Sequence, residues 1–479
     1  MCNICLDQVS APASSSTMLF GSSGSNGNGF AALASHNVAL RPPHRGEFII
    51  RNAYVITMDE TLGELPSSSV HVRNGVIVSI GSDVEVSGTQ VIDGTGMIVL
   101  PGLIDTHWHM WHTILRSFSG DTKETGFYPT ITRFAASMSA EDMYHSTKLA
   151  ATEAVNAGIT TVHDWCHNIR SREHAEADVR ALAEVGLRAR WSFGQRIDQP
   201  DGEPILLAVL EDMHRDWRRF SNDGLINLGM GWRGLYRSEW LPEAVYRKEF
   251  EMARDLKIPI SAHIASTASR LGHVALHAKA GFLGPDVNIV HACGADSDEI
   301  AMIRDSGASV SLTILSELRG GWGVPKLFEM ISAGIPVAAG VDTAPLVGEA
   351  NMFKIMALAV AMENGIAQDE FRMTSRRALA LGTIDAARVL GIDDRVGSLT
   401  PGKRADLIML STDALNMVPL NDPVHAVVEC ARPDNVDTVM IDGVILKSGG
   451  KLSSSLDPLR TMGNARQSSR EVRERAAWR

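Results

Sequence analysis

The sequence predicts an α/β protein: a (β/α)8 barrel carrying a small β-sandwich domain built from both chain ends. Three observations predict it. Eight short apolar runs recur in the middle of the chain, at 98–104, 159–164, 187–193, 225–231, 258–264, 287–292, 308–314 and 335–341. Helix-like stretches lie between most of them, such as 141–157, 173–185, 242–256 and 297–305, and several such stretches end at a glycine. Strand-rich text precedes this region and returns after it. A doubly wound open sheet is the structural alternative, but no Gly-x-Gly-x-x-Gly follows a first strand.

In chain order, residues 1–46 read as a flexible leader, rich in Ser and Gly and centred on Gly21-Ser-Ser-Gly-Ser-Asn-Gly-Asn-Gly29. Residues 47–100 hold strand-like runs at 48–57, 69–72, 76–80 and 90–93, with the hairpin signal Asn74-Gly75. Similar text at 395–450 holds runs at 405–410, 436–441 and 444–447 around Asp442-Gly443. These two segments are expected to form the composite β-domain, and 101–394 the barrel. For the tail, 451–479, two readings stand: a helix over 468–478 that packs on a neighbouring subunit, or a solvated tail. It carries seven Lys or Arg against three Asp or Glu.

Composition narrows the function. The chain has 479 residues, 44% hydrophobic and 21% charged, as expected of one large domain plus a smaller one. A net charge of -11 disfavours nucleic acid as a partner. No apolar run approaches the ~20 residues that cross a membrane. The five cysteines are scattered, which argues against a disulfide framework and for a reducing, cytoplasmic setting. Cys2-x-x-Cys5 has metal or redox spacing, but without a second pair it reads as part of the leader. The expected partner is a small-molecule substrate, with the chain itself forming a homo-oligomer, dimer or higher.

Barrel enzymes carry their chemistry at the C-terminal ends of the strands. Polar residues fall there repeatedly. The first run ends in His107-Trp108-His109, and alternate residues of an extended chain face one side, so both imidazoles can address one ion. The second ends in His163-Asp164-Trp165, the fifth in His263, the sixth in His291 and the eighth in Asp342. One isolated histidine closing an apolar run is ordinarily a core residue. Several at the same end of a barrel, with an aspartate, point to a metal site.

Four segments carry a resemblance: Pro101-Gly-Leu-Ile-Asp-Thr-His-Trp-His109, Val290-His-Ala-Cys-Gly-Ala-Asp296, Gly340-Val-Asp342 and Val396-Gly-Ser-Leu-Thr-Pro-Gly-Lys-Arg-Ala-Asp-Leu-Ile408. Over about 47–450 the chain resembles the amidohydrolase superfamily, nearest its cytosine deaminase and triazine hydrolase (chlorohydrolase-like) branch. The resemblance implies that His107, His109, His263 and Asp342 hold one divalent ion, with His291 beside it as a ligand or as a donor to a developing anion. Two-metal relatives bridge their ions with a lysine at the end of strand four. Here that strand reads Leu228-Gly-Met-Gly-Trp232-Arg233, so one ion is implied, Zn2+ in preference to Fe2+. Such an ion activates water, Asp342 serves as base and then acid, and His291 stabilises charge on the attacked centre. The implied reaction is hydrolysis of a carbon–nitrogen bond, foremost deamination of an N-heterocycle.

The chain departs from that pattern at Ser266. Deaminases of this branch usually carry a glutamate there, three residues after the strand-five histidine, to protonate the ring. Glu317 and Asp164 are the candidate replacements. Trp108, Trp111, Trp165, Trp232 and Trp322 fall in strand-end loops and, with Phe127, are expected to offer flat walls to a planar ring. Gln195 is the expected polar contact, and His112, His167, Arg116 and Arg233 are further candidates. Two other readings stay open. Serine at 266 also suits an amide, carbamate, urea or ring C–Cl substrate, and a barrel that had lost catalysis would serve as a scaffold.

Overall fold

The computed structural model describes residues 45–82, 84, 88–200, 202–235 and 243–478. The leader up to residue 44, with Cys2 and Cys5, and Pro242 of the expected helix 242–256 lie outside them.

The first strands are β1 (Glu47–Ile56), β2 (Glu64–Arg73), β3 (Val76–Gly81), β4 (Gln90–Asp93) and β5 (Met97–Pro101). Eight parallel strands follow: β6 (Leu103–Trp108), β7 (Ile159–Cys166), β8 (Arg188–Gly194), β9 (Ile226–Trp232), β10 (Ile260–Ile264), β11 (Val287–His291), β12 (Ser309–Leu312) and β13 (Val337–Ala339). The chain returns to the first sheet with β14 (Leu407–Ser411), β15 (Val436–Ile441), β16 (Val444–Ser448) and β17 (Lys451–Leu452).

The small sheet runs β17-β16-β15-β14-β5-β1-β2-β3, with β4 beside β1. The expected hairpin at Asn74-Gly75 forms, and Asp442-Gly443 makes a matching one. Asn74 and Gly75 join β2 to β3 at φ 51° and 78°, and Asp442 and Gly443 join β15 to β16 at 53° and 79°. Paired positive φ values are what a two-residue turn between right-twisted strands needs. A Cβ on Gly443 would stand 2.5 Å from the Gly75 Cα, so the two turns meet back to back. The sheet thereby curls around its own apolar core, which includes Ile50, Val55, Val72, Val99, Leu407 and Met440.

The sequence runs 98–104 together as one strand; the structure divides it. Met97–Pro101 pairs antiparallel with β14, from Met97 opposite Ser411 to Pro101 opposite Leu407, and only from Leu103 does the chain enter the barrel. β6 and β7 are buried along their whole length, as parallel strands covered on both faces must be. The barrel closes between its first and last strands. Asp342 N–H donates to His107 O at 2.8 Å and His109 N–H to Asp342 O at 2.6 Å. A Cβ on Gly340 would stand 2.7 Å from the His107 backbone, so only glycine permits this approach.

The expected outer helices form as Ala140–Asn156, Arg172–Val185, Glu243–Asp255 and Ser297–Ser306. The first opens on a capping box between Ser139 and Asp142. A further helix, Phe127–Ala135, sits in the connection after β6. The tail forms the helix Pro458–Arg475, and its buried face is on this chain's own barrel rather than a neighbouring subunit: Thr461, Ala465, Ser468 and Val472 pack against Ala140–Asn156 and the turn Met110–Leu115.

Candidate active site

β6, β10 and the segment after β13 bring four side chains to one point at the C-terminal end of the barrel. The Nε2 atoms of His107 and His109 stand 3.2 Å apart, and those of His263 and His107 also 3.2 Å. Asp342 Oδ1 lies 3.7 Å from His107 Nε2 and 3.6 Å from His109 Nε2. Two nitrogens held ~2.0–2.1 Å from one ion at a tetrahedral angle stand roughly 3.3 Å apart. The three imidazoles therefore already have the spacing of a shared ion.

The protonation chemistry agrees. Burial pushes His109 down to about 3, and His107 and His263 well below the usual histidine range, so all three are neutral ligands at neutral pH. His109 Nδ1–H donates to Trp165 O at 2.9 Å, which frees Nε2 to face the cluster. Asp342 Oδ2 is buried without a hydrogen-bond partner. Burial raises the Asp342 carboxyl to about 6. Three clustered imidazole nitrogens, with a carboxylate beside two of them that has one oxygen unpartnered, offer a donor set for a cation.

His291 closes β11, its ring centroid 5.2 Å from that of His263. His291 and Asp342 both adopt left-handed backbone, at φ 77° and 70°. Non-glycine residues there cost on the order of 1–3 kcal/mol each and concentrate at functional sites.

The sequence offers Glu317 as an acid facing a ring, but the structure places it behind His291. Its Oε1 accepts His291 Nδ1–H at 3.0 Å and Thr313 N–H at 2.8 Å, and the residue is fully buried outside the cavity lining. Asp164 is also enclosed. Its Oδ1 accepts Met110 N–H at 3.3 Å, and burial next to Asp178 raises its pKa well above the carboxylate range.

A small cavity of about 20 Å³ opens on this cluster, room for one water-sized molecule. One wall is polar: His109, His112, His167, His263, His291 and Asp342. The other is Phe127, Tyr128, Ile131 and Trp322, with Tyr128 and Trp322 stacked at 6.0 Å.

The expected contacts divide accordingly. Trp322 lines the cavity. Trp165 lies beneath it, edge-on to His263 at 4.6 Å, and Trp111 donates its indole N–H to His167 Nδ1 at 3.1 Å. Trp108 alternates with the two histidines along β6 and faces the other side. Trp232 ends β9 among the outer helices, 4.9 Å from both Phe250 and Phe282. Gln195 is buried outside the lining. Arg116 pairs with Glu153 and Arg233 with Glu249 at 2.5 Å, so neither reaches the cavity. Of the further polar candidates, His112 and His167 are at the wall. Tyr128 and Ile131 escape the sequence reading, and their signal was the apolar stripe Phe127, Ile131, Phe134 at helical spacing.

Residues 98–446 match the amidohydrolase family, and the chain belongs to it: a hydrolase acting on carbon–nitrogen bonds other than peptide bonds. It is similar to 5-methylthioadenosine/S-adenosylhomocysteine deaminase of Acetivibrio thermocellus, at 28% identity over 88% of this chain and 99% of the relative. In structure it is similar to an adenosine deaminase from Xanthomonas campestris with bound zinc, with TM-score 0.80 and 23% identity over 90% of this chain and 100% of that one. It is also similar to an atrazine chlorohydrolase from Arthrobacter aurescens complexed with zinc, with TM-score 0.77 and 22% identity over 88% and 100%. Among the described residues, no helix is long and apolar enough to cross a membrane.

Proposed function

We propose that this chain deaminates a small planar N-heterocycle by hydrolysis, with His107, His109, His263 and Asp342 holding one divalent cation, Zn2+ in preference to Fe2+. The cluster of three neutral imidazole nitrogens, with the Asp342 carboxylate beside two of them and under an aromatic wall, carries this reading. Relatives named as deaminases of adenosine derivatives support it. A cation held there supplies Lewis acidity that brings the ionisation of water toward neutral pH.

The chain's own residues then divide the work. Asp342 takes a proton from the attacking water as a C–O bond forms, and passes it to the leaving nitrogen as the C–N bond breaks and ammonia departs. His291 has its Nδ1 proton committed to Glu317. Its Nε2 is therefore left as an acceptor, able to take the second proton of the attacking water from the added hydroxyl and hand it to the ring nitrogen, while Glu317 stabilises the transient imidazolium. Phe127 and Trp322 hold the ring flat and exclude water. The free cysteines Cys166, Cys293 and Cys430 suit a reducing, cytoplasmic setting.

One observation favours a second reading. Asp342 is the one carboxylate among the described lining residues, and Ser266 stands where the ring-protonating glutamate is expected. An amide, carbamate, urea or ring C–Cl substrate needs no such acid. Metal-quantified protein incubated with purines, pterins, pyrimidines, triazines and aryl ureas separates the two. Ammonia release supports deamination. Release of free amine, carboxylic acid or halide supports the second reading. No turnover, together with substoichiometric metal, overturns both.

A further inference from the structure

The family match ends at residue 446, yet residues beyond it reach the elements that carry the cavity wall. The helix Pro458–Arg475 lies across the turn Met110–Leu115, which carries His112, and Ser469 Oγ–H donates to Ile114 O at 2.9 Å. Past its end the chain turns back: Ala477 adopts φ 47°, and Trp478 N–H donates to Arg473 O at 3.1 Å. This left-handed helix stop aims the following side chain at a neighbour. The neighbour is Phe134, 5.2 Å from the Trp478 ring. Arg133, adjacent to Phe134, donates to Ala476 O at 2.8 Å and Ala477 O at 2.6 Å, so a cation caps carbonyls that a helix end leaves orphaned. From the tail side, Arg475 donates to Ser137 O at 2.9 Å. The same Phe127–Ala135 helix presents Phe127, Tyr128 and Ile131 to the cavity. At its C-terminal end Asn168 and Arg170 also donate to Ala135 O, at 3.0 and 3.3 Å.

We propose that the C-terminal segment 457–478 is a strap that positions the aromatic wall of the substrate cavity, with Trp478 and Arg133 as its positioning residues. The strap lets a short helix outside the barrel sheet hold a flat wall in register with His263 and His291. The proposal rests on reading this cavity as the substrate site.

The test is amide hydrogen exchange on the metal-loaded full chain, comparing wild type with Trp478→Ala, Arg133→Met and a truncation after Leu456. Exchange in 127–135 is expected to speed up about tenfold in each variant while the helix Ser297–Ser306, in a distant part of the barrel ring, stays unchanged. Trp478→Phe should restore the wild-type rate. Kinetics on whichever substrate the screen yields should show KM raised several-fold with kcat little changed. Unchanged exchange in 127–135 overturns the proposal, and so does an equal rise in Ser297–Ser306, which would make the tail a general stabiliser. The exchange result is independent of turnover, so a failed deamination screen leaves it readable.

Discussion

Glu317 accepts the Nδ1 proton of His291 at 3.0 Å, inside a pocket where Thr313 also donates its backbone N–H to the same oxygen. In the proposed reaction Glu317 is therefore a positioning residue that acts through His291. Glu317→Gln keeps an acceptor but removes the charge that steadies an imidazolium, and kcat should fall about 10–100-fold with KM nearly unchanged. His291→Gln, which removes the group itself, should cost about 10²–10³-fold. Both variants should retain bound metal. Steady-state kinetics beside metal quantification checks this, and near-normal turnover in Glu317→Gln would show that the His291 pairing is idle.

The metal site makes a separable prediction. With Nε2 spacings of 3.2 Å on either side of His107, loss of that central imidazole removes both of those close pairs. His107→Ala should abolish stoichiometric binding, while His167→Ala, at the wall but outside the cluster, should keep one ion per chain. Chelation should silence the wild type, and added Zn2+ should restore it. Elemental analysis decides. Two ions per chain would contradict a single site.

The four proposed ligands were legible because each closes an apolar run, and a strand end in a barrel has one address. The tight turns were legible because Asn-Gly and Asp-Gly demand one backbone conformation. Side-chain direction was harder. Trp232 and Trp165 look alike in sequence, but β9 ends with Trp232 turned outward among Phe250 and Phe282, while a Cβ on the inward Gly231 would stand 2.8 Å from the Trp165 ring. Glu317 announced itself as a carboxylate after strand seven. Its orientation depends on the single short helix Ile314–Arg319 and on the Thr313 amide, which no periodicity encodes. Tyr128 and Ile131 lay in a connection that the eightfold alternation treats as loop.

The joint between barrel and sandwich should dominate stability. Arg188, opening β8, is buried and donates to both oxygens of Asp406, at 2.6 and 2.9 Å, and to Asp442 at 3.2 Å. Asp442 N–H in turn donates to Asp406 Oδ1 at 2.9 Å. Removing Asp406 leaves the buried Arg188 with the longer contact to Asp442 alone, so Asp406→Ala should cost about 3 kcal/mol. Replacing the exposed partner of a surface pair, as in Arg304→Ala beside Asp305, should cost under about 1 kcal/mol. Denaturant unfolding of the two variants gives the comparison, and equal losses would deny the joint its role.

Lys447 gives stability a pH dependence of opposite sign to that of an ion-paired lysine. Its Nζ donates to Asn156 O at 2.7 Å, and burial pulls its pKa down to about 8, against partial support from Asp434 and Asp437. In the unfolded chain a lysine titrates near 10.4. Between those values the unfolded state binds more protons than the folded one, so stability rises with pH across that window. Below pH 8 both states carry the proton, and the full cost of burying the charge is present. Lys447→Met removes that cost at the expense of one hydrogen bond. Its melting temperature minus that of the wild type should therefore be most positive at pH 7 to 8 and should decline steadily toward pH 10. Taking the difference cancels the other lysines, tyrosines and cysteines that titrate in the same range. A difference that stays constant over the window would mean that Lys447 titrates as an exposed lysine does.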